Sequence, residues 1–541
     1  MNHILSRERA EVVIVGAGHN SLVAACLLAR AGRDVLVLEA APYLGGAAVS
    51  RKVFPGVDAR VSRYAYLVSL FPQWLMDDLG VQIPLVRRHT SSYTPDPRNP
   101  ARGLVVPSDS SGPQARADLQ DRMRDLTGSP EDADAWSSFY GHIGEFAPDL
   151  FATLTEPLRP ASAVHGMVGD RAWDDFFAQP LGAVLDRTFR DDVVRGVVLT
   201  DALIGTFARS DDPSLRQNAC FLYHVIGNGT GAWDLPVGGM GAVTDALAER
   251  AKGLGVQVHT GVRVVAVSSD GTRASVAAVS ADGHRVELVA DMVLAGCAPA
   301  ELDRLMRRGT ADGQSRQPWQ DGAQIKVNMV LSRLPELRDP DVDPSQAFGG
   351  TLHVNETASQ LDSAYAQGSR GLLPAPVPCE AYCHSLGDRS ILGPELARST
   401  AQTLTVFALQ TPHSLFRGSP AVVAAEQAKA AVLASLNRVL AEPIEDCLLV
   451  DANGDACIEV STTADLERDL GLPGGNIFHT PLDMPFAVNE QETGTWGVET
   501  AWPNIAVCGS GARRGGGVSG IPGHNAARYA LSVLARNSST S

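Results

Sequence analysis

The chain has 541 residues, 44% hydrophobic and 20% charged, an ordinary globular balance that excludes a long disordered or fibrous protein. Its 45 basic residues are outnumbered by 61 acidic ones, giving a formal charge of −16, the reverse of what a nucleic-acid binder or a polybasic membrane anchor shows. At roughly 150 residues per domain, length alone suggests three or four domains. Eight cysteines are scattered, and the C-x3-C pair Cys379 and Cys383 has no second pair or histidine cluster nearby, so neither a disulfide framework nor a metal site is expected. No run of about 18 apolar residues is present, so no transmembrane helix is expected. The polar start, MNHILSRERA, does not read as a signal peptide, and a cytoplasmic protein is the expectation. Peripheral membrane contact stays open.

In chain order, Val12 to Val15 read as a buried parallel strand that runs into Gly16-Ala-Gly18-His-Asn-Ser21. Leu22 to Arg30 then read as a helix, and Asp34 to Leu38 as a second strand ending at Glu39. This is a βαβ unit. Gly16 permits the tight turn, Gly18 lets the backbone approach a diphosphate, and the helix N-terminus faces it with free N–H groups. Ser21 replaces the third glycine and is small enough to pack helix against strand. Glu39, 21 residues after Gly18, is placed to accept hydrogen bonds from a ribose. A double glycine, Gly45-Gly46, follows it and suits an extended dinucleotide.

Here the sequence, from GAGHNS to VLVLEAAPYLGGAAVS, resembles flavoproteins of the glutathione-reductase-like FAD fold, which include amine oxidases and phytoene desaturases. The resemblance implies noncovalent FAD. Three later segments extend it. Gly238-Gly-Met-Gly241 precedes a helix from Ala242 to Lys252 and a strand running from Val256 through Val264 to Val267. In the resembling families the position of Val264 meets the adenine. Ala290 to Pro299 reads as a return to the same sheet, and Asn504 to Cys508 as its last strand. Gly509-Ser510-Gly-Ala-Arg513-Arg514-Gly515-Gly516-Gly517-Val518 and a helix from Pro522 to Leu534 would then address the flavin. Ser510 stands where many relatives carry an aspartate on the ribityl chain. Arg513 or Arg514 would stabilise an anionic reduced flavin.

Thr200 to Phe207, Tyr223 to Gly227 and Gly474 to His479 narrow the resemblance to the phytoene-desaturase-like oxidoreductases, in the group of pyridine nucleotide-disulphide oxidoreductase domain-containing protein 2. That group's Gly-Ser-Gly-x-His-Pro-Gly-Gly-Gly is altered here, with Arg513 and Arg514 in place of His and Pro. No C-x4-C redox pair follows the first segment. Phe221 to Ile226 followed by Gly227-Asn-Gly-Thr-Gly231 imitates a second nucleotide turn, but Pro236 leaves no room for its helix, so NAD(P)H is not expected there.

The implied fold is α/β: an FAD-binding Rossmann domain from residues 1–75, 236–318 and 496–541, interleaved with an α+β substrate domain from 76–235 and 319–495. Trp136 to Phe151 and Trp173 to Leu199 read as helices, Pro95 to Pro113 as loop, and 310–320 as a polar connection. Ala323 to Leu331 and Thr403 to Gln410 alternate like strands of a second sheet. Lys326 resembles the amine-oxidase lysine that reaches the flavin through a water; the alternative is an edge-strand lysine in solvent. His479 is either close to the flavin or makes a structural hydrogen bond. Arg389 and Lys52 read as surface charges.

The expected function is FAD-dependent oxidation of a C–H bond in a small or lipophilic substrate, with hydride transfer to flavin N5 and reoxidation by oxygen or a quinone. Alternatives are a peroxide-forming amine or secondary-metabolite oxidase, a non-redox double-bond isomerase, or a non-catalytic FAD-bound interaction protein. Lys326, His479 and Arg513 are the catalytic candidates.

Overall fold

A computed structural model describes residues 8–108, 112–128, 131–307 and 320–539. The β-branched run at the N-terminus forms strand β1 (Arg9–Val15), followed by helix α1 (His19–Arg30) and strand β2 (Val35–Glu39). β1 lies between β2 and the Arg285–Ala295 strand, parallel to both. Its neighbours on both sides explain why Val12, Val13 and Ile14 are fully buried. The sheet has seven strands. The long Arg285–Ala295 strand joins its two parts: its first half pairs antiparallel with Ala274–Ser280, and its last residues pair parallel with Ile505–Val507. Helices α1, Met240–Gly253 and Ile521–Ser539 pack together over this sheet.

The run from Val256 to Val267 is two strands rather than one. Gly261, at φ 69°, breaks it into Gln257–Thr260, parallel to β2, and Val262–Ser269, antiparallel in the meander. The left-handed turn lets one segment serve both parts of the sheet.

A second seven-stranded sheet runs in the order Ile458–Ser461, Ile325–Leu331, Gln402–Ala408, Cys379–Tyr382, Thr351–Val354, Thr90–Asp96, Asn99–Pro107. One face packs Val327, Met329, Leu352, Ala381 and Val406 against the helix Ala421–Leu436. The opposite face carries Lys326, His353, Glu380, Tyr382 and Thr405, all buried. Strand alternation puts these two sets on opposite sides. The helical segment 131–225 covers the polar side and forms its own aromatic core with Phe139, Phe176, Phe189 and Phe221.

Three expectations are corrected. Pro95 to Pro113 is mostly a hairpin, Thr90–Asp96 with Asn99–Pro107, rather than loop. Its turn is held by Asp96, a fully buried carboxylate that accepts from Arg98 Nε at 2.7 Å and Arg102 Nη2 at 2.9 Å. The prolines are tolerated because the hairpin is at the sheet edge. Trp173 to Leu199 is broken by Pro180 and by the Asp191 cap into Leu181–Thr188 and Asp192–Thr200, after a short π-helical turn at Asp174–Ala178. Arg389 is not a free surface charge; its guanidinium is held by the carbonyls of Leu396, Ala397, Ser399 and Ala401. The expected connection at 310–320 and the boundary at 318 lie almost wholly outside the described residues. No described helix is long and apolar enough to cross a membrane.

Candidate functional site

The glycine turn after β1 is held from three sides. Gly16, at φ 89°, donates to Leu38 O at 2.8 Å, and Gly296 donates to Val15 O at 2.8 Å. Gly296 has no space for a side chain, since a Cβ there would come within 2.1 Å of Ser21 Oγ. Ser21 thus packs α1 against the end of the Arg285–Ala295 strand, as its small size led us to expect. Glu39 grips the turn from below. Its two carboxylate oxygens accept from Ala17 N and Ala41 N, each at 2.7 Å.

The double glycine folds onto the same turn. Gly45 donates to Ala17 O at 2.9 Å and bridges with Gly18, and a Cβ on Gly46 would be 3.4 Å from Gly18 Cα. The C-terminal loop arrives from nearly 500 residues away. Asn20 Nδ2 reaches Ser510 Oγ at 3.4 Å, and His19 Nε2 lies 3.0 Å from Gly517 O. Burial lowers the His19 pKa to about 4, so the ring is neutral and Nε2–H donates to that carbonyl. Gly509 packs on Gly296, while Gly516 and Gly517 face the Tyr223 ring and hydroxyl. Val518 is buried in the same core as β1. Val264 is buried in the Val262–Ser269 strand, beside a bulge between Val264 and Ala266.

These residues have the properties a dinucleotide needs. An added Cβ at Gly18 would meet nothing within 4 Å, so the backbone is open on that side. Gly18 caps α1 without a side-chain bond, leaving the helix N-terminus free for a diphosphate. Each Glu39 oxygen has a lone pair beyond its backbone bond. Asn20 Oδ1 and His479 Nδ1, both buried, lack a hydrogen-bond partner among the described residues. A flavin dinucleotide fits this donor and acceptor set.

Of the three catalytic candidates, Lys326 is placed most tellingly. It is 2% exposed, on a strand flanked by Gln402–Ala408 and Ile458–Ser461, so it is not an edge residue in solvent. Its Nζ donates to Tyr64 O at 3.1 Å and lies 4.3 Å over the Tyr66 ring. Burial depresses its pKa well below the usual lysine value. The Tyr64–Tyr66 segment is tied to the double-glycine loop, since Ala65 donates to Ala47 O at 3.1 Å. Lys326 therefore sits one backbone segment away from Gly45 and Gly46.

His479 has φ 68°, and burial lowers its pKa to about 4. It packs beside Gly511 and is electrostatically coupled to His19, which places it by the C-terminal loop. Arg513 and Arg514 do not supply the free positive charge expected of them. Arg513 pairs with Asp483 at 2.8 Å and Glu492 at 3.3 Å. Arg514 is 8% exposed and donates to the carbonyls of Thr153, Glu156 and Trp496. The first is neutralised and the second cross-links backbone segments. The imitation of a second nucleotide turn also dissolves: Phe221 to Val225 belong to the helix Arg216–Val225, so no strand precedes the glycines.

Between the polar face of the second sheet and the helical segment lies a cavity of about 370 Å³. Tyr66, Trp136, Asp201, His353, Glu380 and Tyr382 are among its lining residues. Tyr66 packs against Tyr382, with ring centroids 4.8 Å apart and the rings tilted by 40°, so the cavity reaches to the Lys326 ring contact. Burial raises the carboxyl pKa of Glu380 to about 8 and of Asp201 to about 6. None of these cavity residues was a site candidate from sequence, although Trp136 starts a helix read there and Asp201 lies in the Thr200 to Phe207 segment that carries the resemblance. The usable signal was alternation: Thr351-Leu-His353-Val and Cys379-Glu380-Ala-Tyr382 place polar residues at every second position of apolar strands.

The model of the flavin containing amine oxidoreductase family matches residues 22–318. An uncharacterized protein of Mycobacterium tuberculosis (strain ATCC 25618 / H37Rv) is 49% identical over 536 residues, covering 97% of each chain. Pyridine nucleotide-disulfide oxidoreductase domain-containing protein 2 of Rattus norvegicus is 29% identical over 578 residues, covering 97% of this chain and 94% of that one. Among solved structures, wild-type putrescine oxidase bound to putrescine aligns with TM-score 0.55 at 18% identity, covering 98% of this chain and 99% of that one. Cyclohexylamine oxidase from Brevibacterium oxydans IH-35A aligns with TM-score 0.55 at 16% identity, covering 98% and 100%. The fold is that of the amine-oxidase type of FAD-binding protein, a Rossmann-type α/β unit interleaved with an α+β unit. With more than half of its residues matched and a full-length relative at 49% identity, the chain belongs to the flavin-containing amine oxidoreductase family.

Proposed function

We propose that the protein binds FAD noncovalently and oxidises a C–H bond of a compact organic substrate held in the cavity beneath Tyr66. One observation carries the reading. Three glycine loops far apart in sequence converge on the N-terminus of α1, through the Gly18–Gly45 bridge and the His19–Gly517 bond. In this reading residues 1–75, 236–318 and 496–541 hold the cofactor, and 76–235 and 319–495 hold the substrate. Gly16, Gly18 and the α1 N-terminus take the diphosphate, Glu39 the adenosine ribose, and Val264 the adenine. Gly45, Gly46, Ser510, Gly516, Gly517 and Val518 lie along the rest.

The bound cofactor would supply a two-electron acceptor for a hydride equivalent. The chain supplies the rest. Aromatic walls exclude water, and Lys326, whose burial favours the uncharged amine, can accept a proton or position a water. His19 and His479, both neutral, leave the field near the C-terminal loop to the backbone dipoles. The cavity volume and its polar lining favour a small polar substrate over a long polyene. Among oxidase readings, an amine substrate is favoured by the carboxyl group of Asp201 at the wall, with oxygen as acceptor and peroxide as product.

The test is direct. The purified protein should show visible flavin bands and release FAD on denaturation. A panel of primary and secondary amines should then bleach those bands without oxygen and yield peroxide with it. No flavin bands after reconstitution with FAD would sink the reading. Bands that no amine bleaches would remove the amine and leave the cofactor.

A further inference from the structure

The polar side of the second sheet carries a cluster that the proposed oxidation does not use. His353 and Glu380 face each other across antiparallel strands, in register. Glu356 follows three residues after His353. Asn355, at φ 58°, turns the chain left-handed between them and brings the Glu356 carboxylate back over the imidazole. His353 Nδ1 and Glu356 Oε2 are 2.5 Å apart, and one ligand atom from each of the three residues lies within 4.8 Å of the others. All three are buried, at 4%, 1% and 1% exposure.

We propose that His353, Glu356 and Glu380 form a site for one divalent transition-metal ion, with Zn²⁺ or Mn²⁺ as the fitting class. One imidazole and two carboxylates make a mixed nitrogen–oxygen donor set of the sort that divalent ions take with three protein ligands and an open position. A tetrahedral ion with bonds of about 2.1 Å needs its ligand atoms about 3.4 Å apart. Adjustments of about 1–1.5 Å bring the spacings to that value.

A second observation points to a ligand. Glu356 Oε1 is buried and lacks a hydrogen-bond partner among the described residues. An unsatisfied buried carboxylate oxygen is costly unless a proton or a cation meets it. The outer groups already orient the ligands. Thr200 Oγ1 donates to Glu356 Oε2 at 3.0 Å, and the Tyr382 hydroxyl donates to Glu380. The helix bearing Thr200 is pressed onto this segment, since a Cβ at Gly196 would come within 2.0 Å of Glu356 O. His353 and Glu380 line the cavity, so the open position faces whatever the cavity holds.

The experiment needs no turnover and is independent of the flavin. Chelator-treated full-length protein is titrated with Zn²⁺, and in parallel with Mn²⁺, by calorimetry and by elemental analysis after gel filtration. We expect one equivalent per chain with either ion, and at least a tenfold loss of affinity in Glu380→Gln and in Glu356→Gln. Less than a tenth of an equivalent in the wild type, or equal binding in both variants, overturns the site. Should the variants fail to fold, Co²⁺ titrated into the wild type decides. Saturable d–d bands of nitrogen–oxygen ligation at one equivalent support the site, and a spectrum identical to free aqueous Co²⁺ refutes it.

Discussion

Replacing Glu39 with alanine tests the cofactor assignment most sharply. Its carboxylate accepts two backbone N–H groups at 2.7 Å, from Ala17 in the glycine turn and Ala41 in the approach to the double glycine. A hydrogen bond to a charged group contributes about 1.5–3 kcal/mol. Glu39 is only half-buried, so solvent competes and the low end applies. Losing both bonds, and the acceptor for the ribose, should cost about 2–3 kcal/mol in FAD binding. At 1.4 kcal/mol per tenfold, the dissociation constant rises about 30- to 140-fold. Glu39→Gln keeps the shape and one acceptor oxygen, so it should fall between. The assay is quenching of flavin fluorescence on titrating apo-protein, with far-UV circular dichroism confirming that each apo variant is folded. A folded Ala variant that binds FAD within threefold of the wild type would show that Glu39 braces the loop without meeting the ribose.

Other outcomes follow from the same geometry. Gly296→Ala should lower the thermal midpoint by several degrees because its Cβ would overlap Ser21 Oγ; adding Ser21→Gly should restore only part of it, since Val15 O is also within 2.9 Å. Arg513→Ala should leave the flavin midpoint potential unchanged in a potentiometric titration while lowering thermal stability, because Asp483 and Glu492 already neutralise the guanidinium; a clear fall in potential would return Arg513 to the flavin. Lys326 carries a signed pH effect. Its folded pKa is depressed, so between that value and the unfolded value near 10.5 the unfolded chain binds the extra proton and stability rises with pH. Lys326→Met should therefore gain most over the wild type at neutral pH, with the gap closing toward pH 10 in urea unfolding curves; a gap independent of pH would mean that the lysine is charged when folded.

Local patterns were legible wherever one segment carries its own physics. Val12 to Val15, the glycine turn and the strand ending at Glu39 appear as read, because a βαβ unit is closed by short-range geometry. The Ile325–Leu331 and Gln402–Ala408 strands were visible as alternation. The hairpin at residues 90–107 was missed because prolines and glycines read as loop, and the buried Asp96 with its two arginines overrides them. The charge on Arg513 and Arg514 was read from position alone, and the carboxylates and carbonyls that absorb it come from segments 18 to 361 residues away.

The sequence by itself determined the family-level outcome: which separated glycine loops come together at the end of the first sheet, and that a second sheet stands beside it. Residue type and spacing suffice for that, because glycine conformation, helix ends and strand alternation are local. The tertiary structure alone decided that Lys326 is buried rather than at an edge, that His19 bonds the C-terminal loop, and that His353, Glu356 and Glu380 meet at the cavity wall. Burial and proximity across the chain set those properties, and neither is carried by any single stretch of residues.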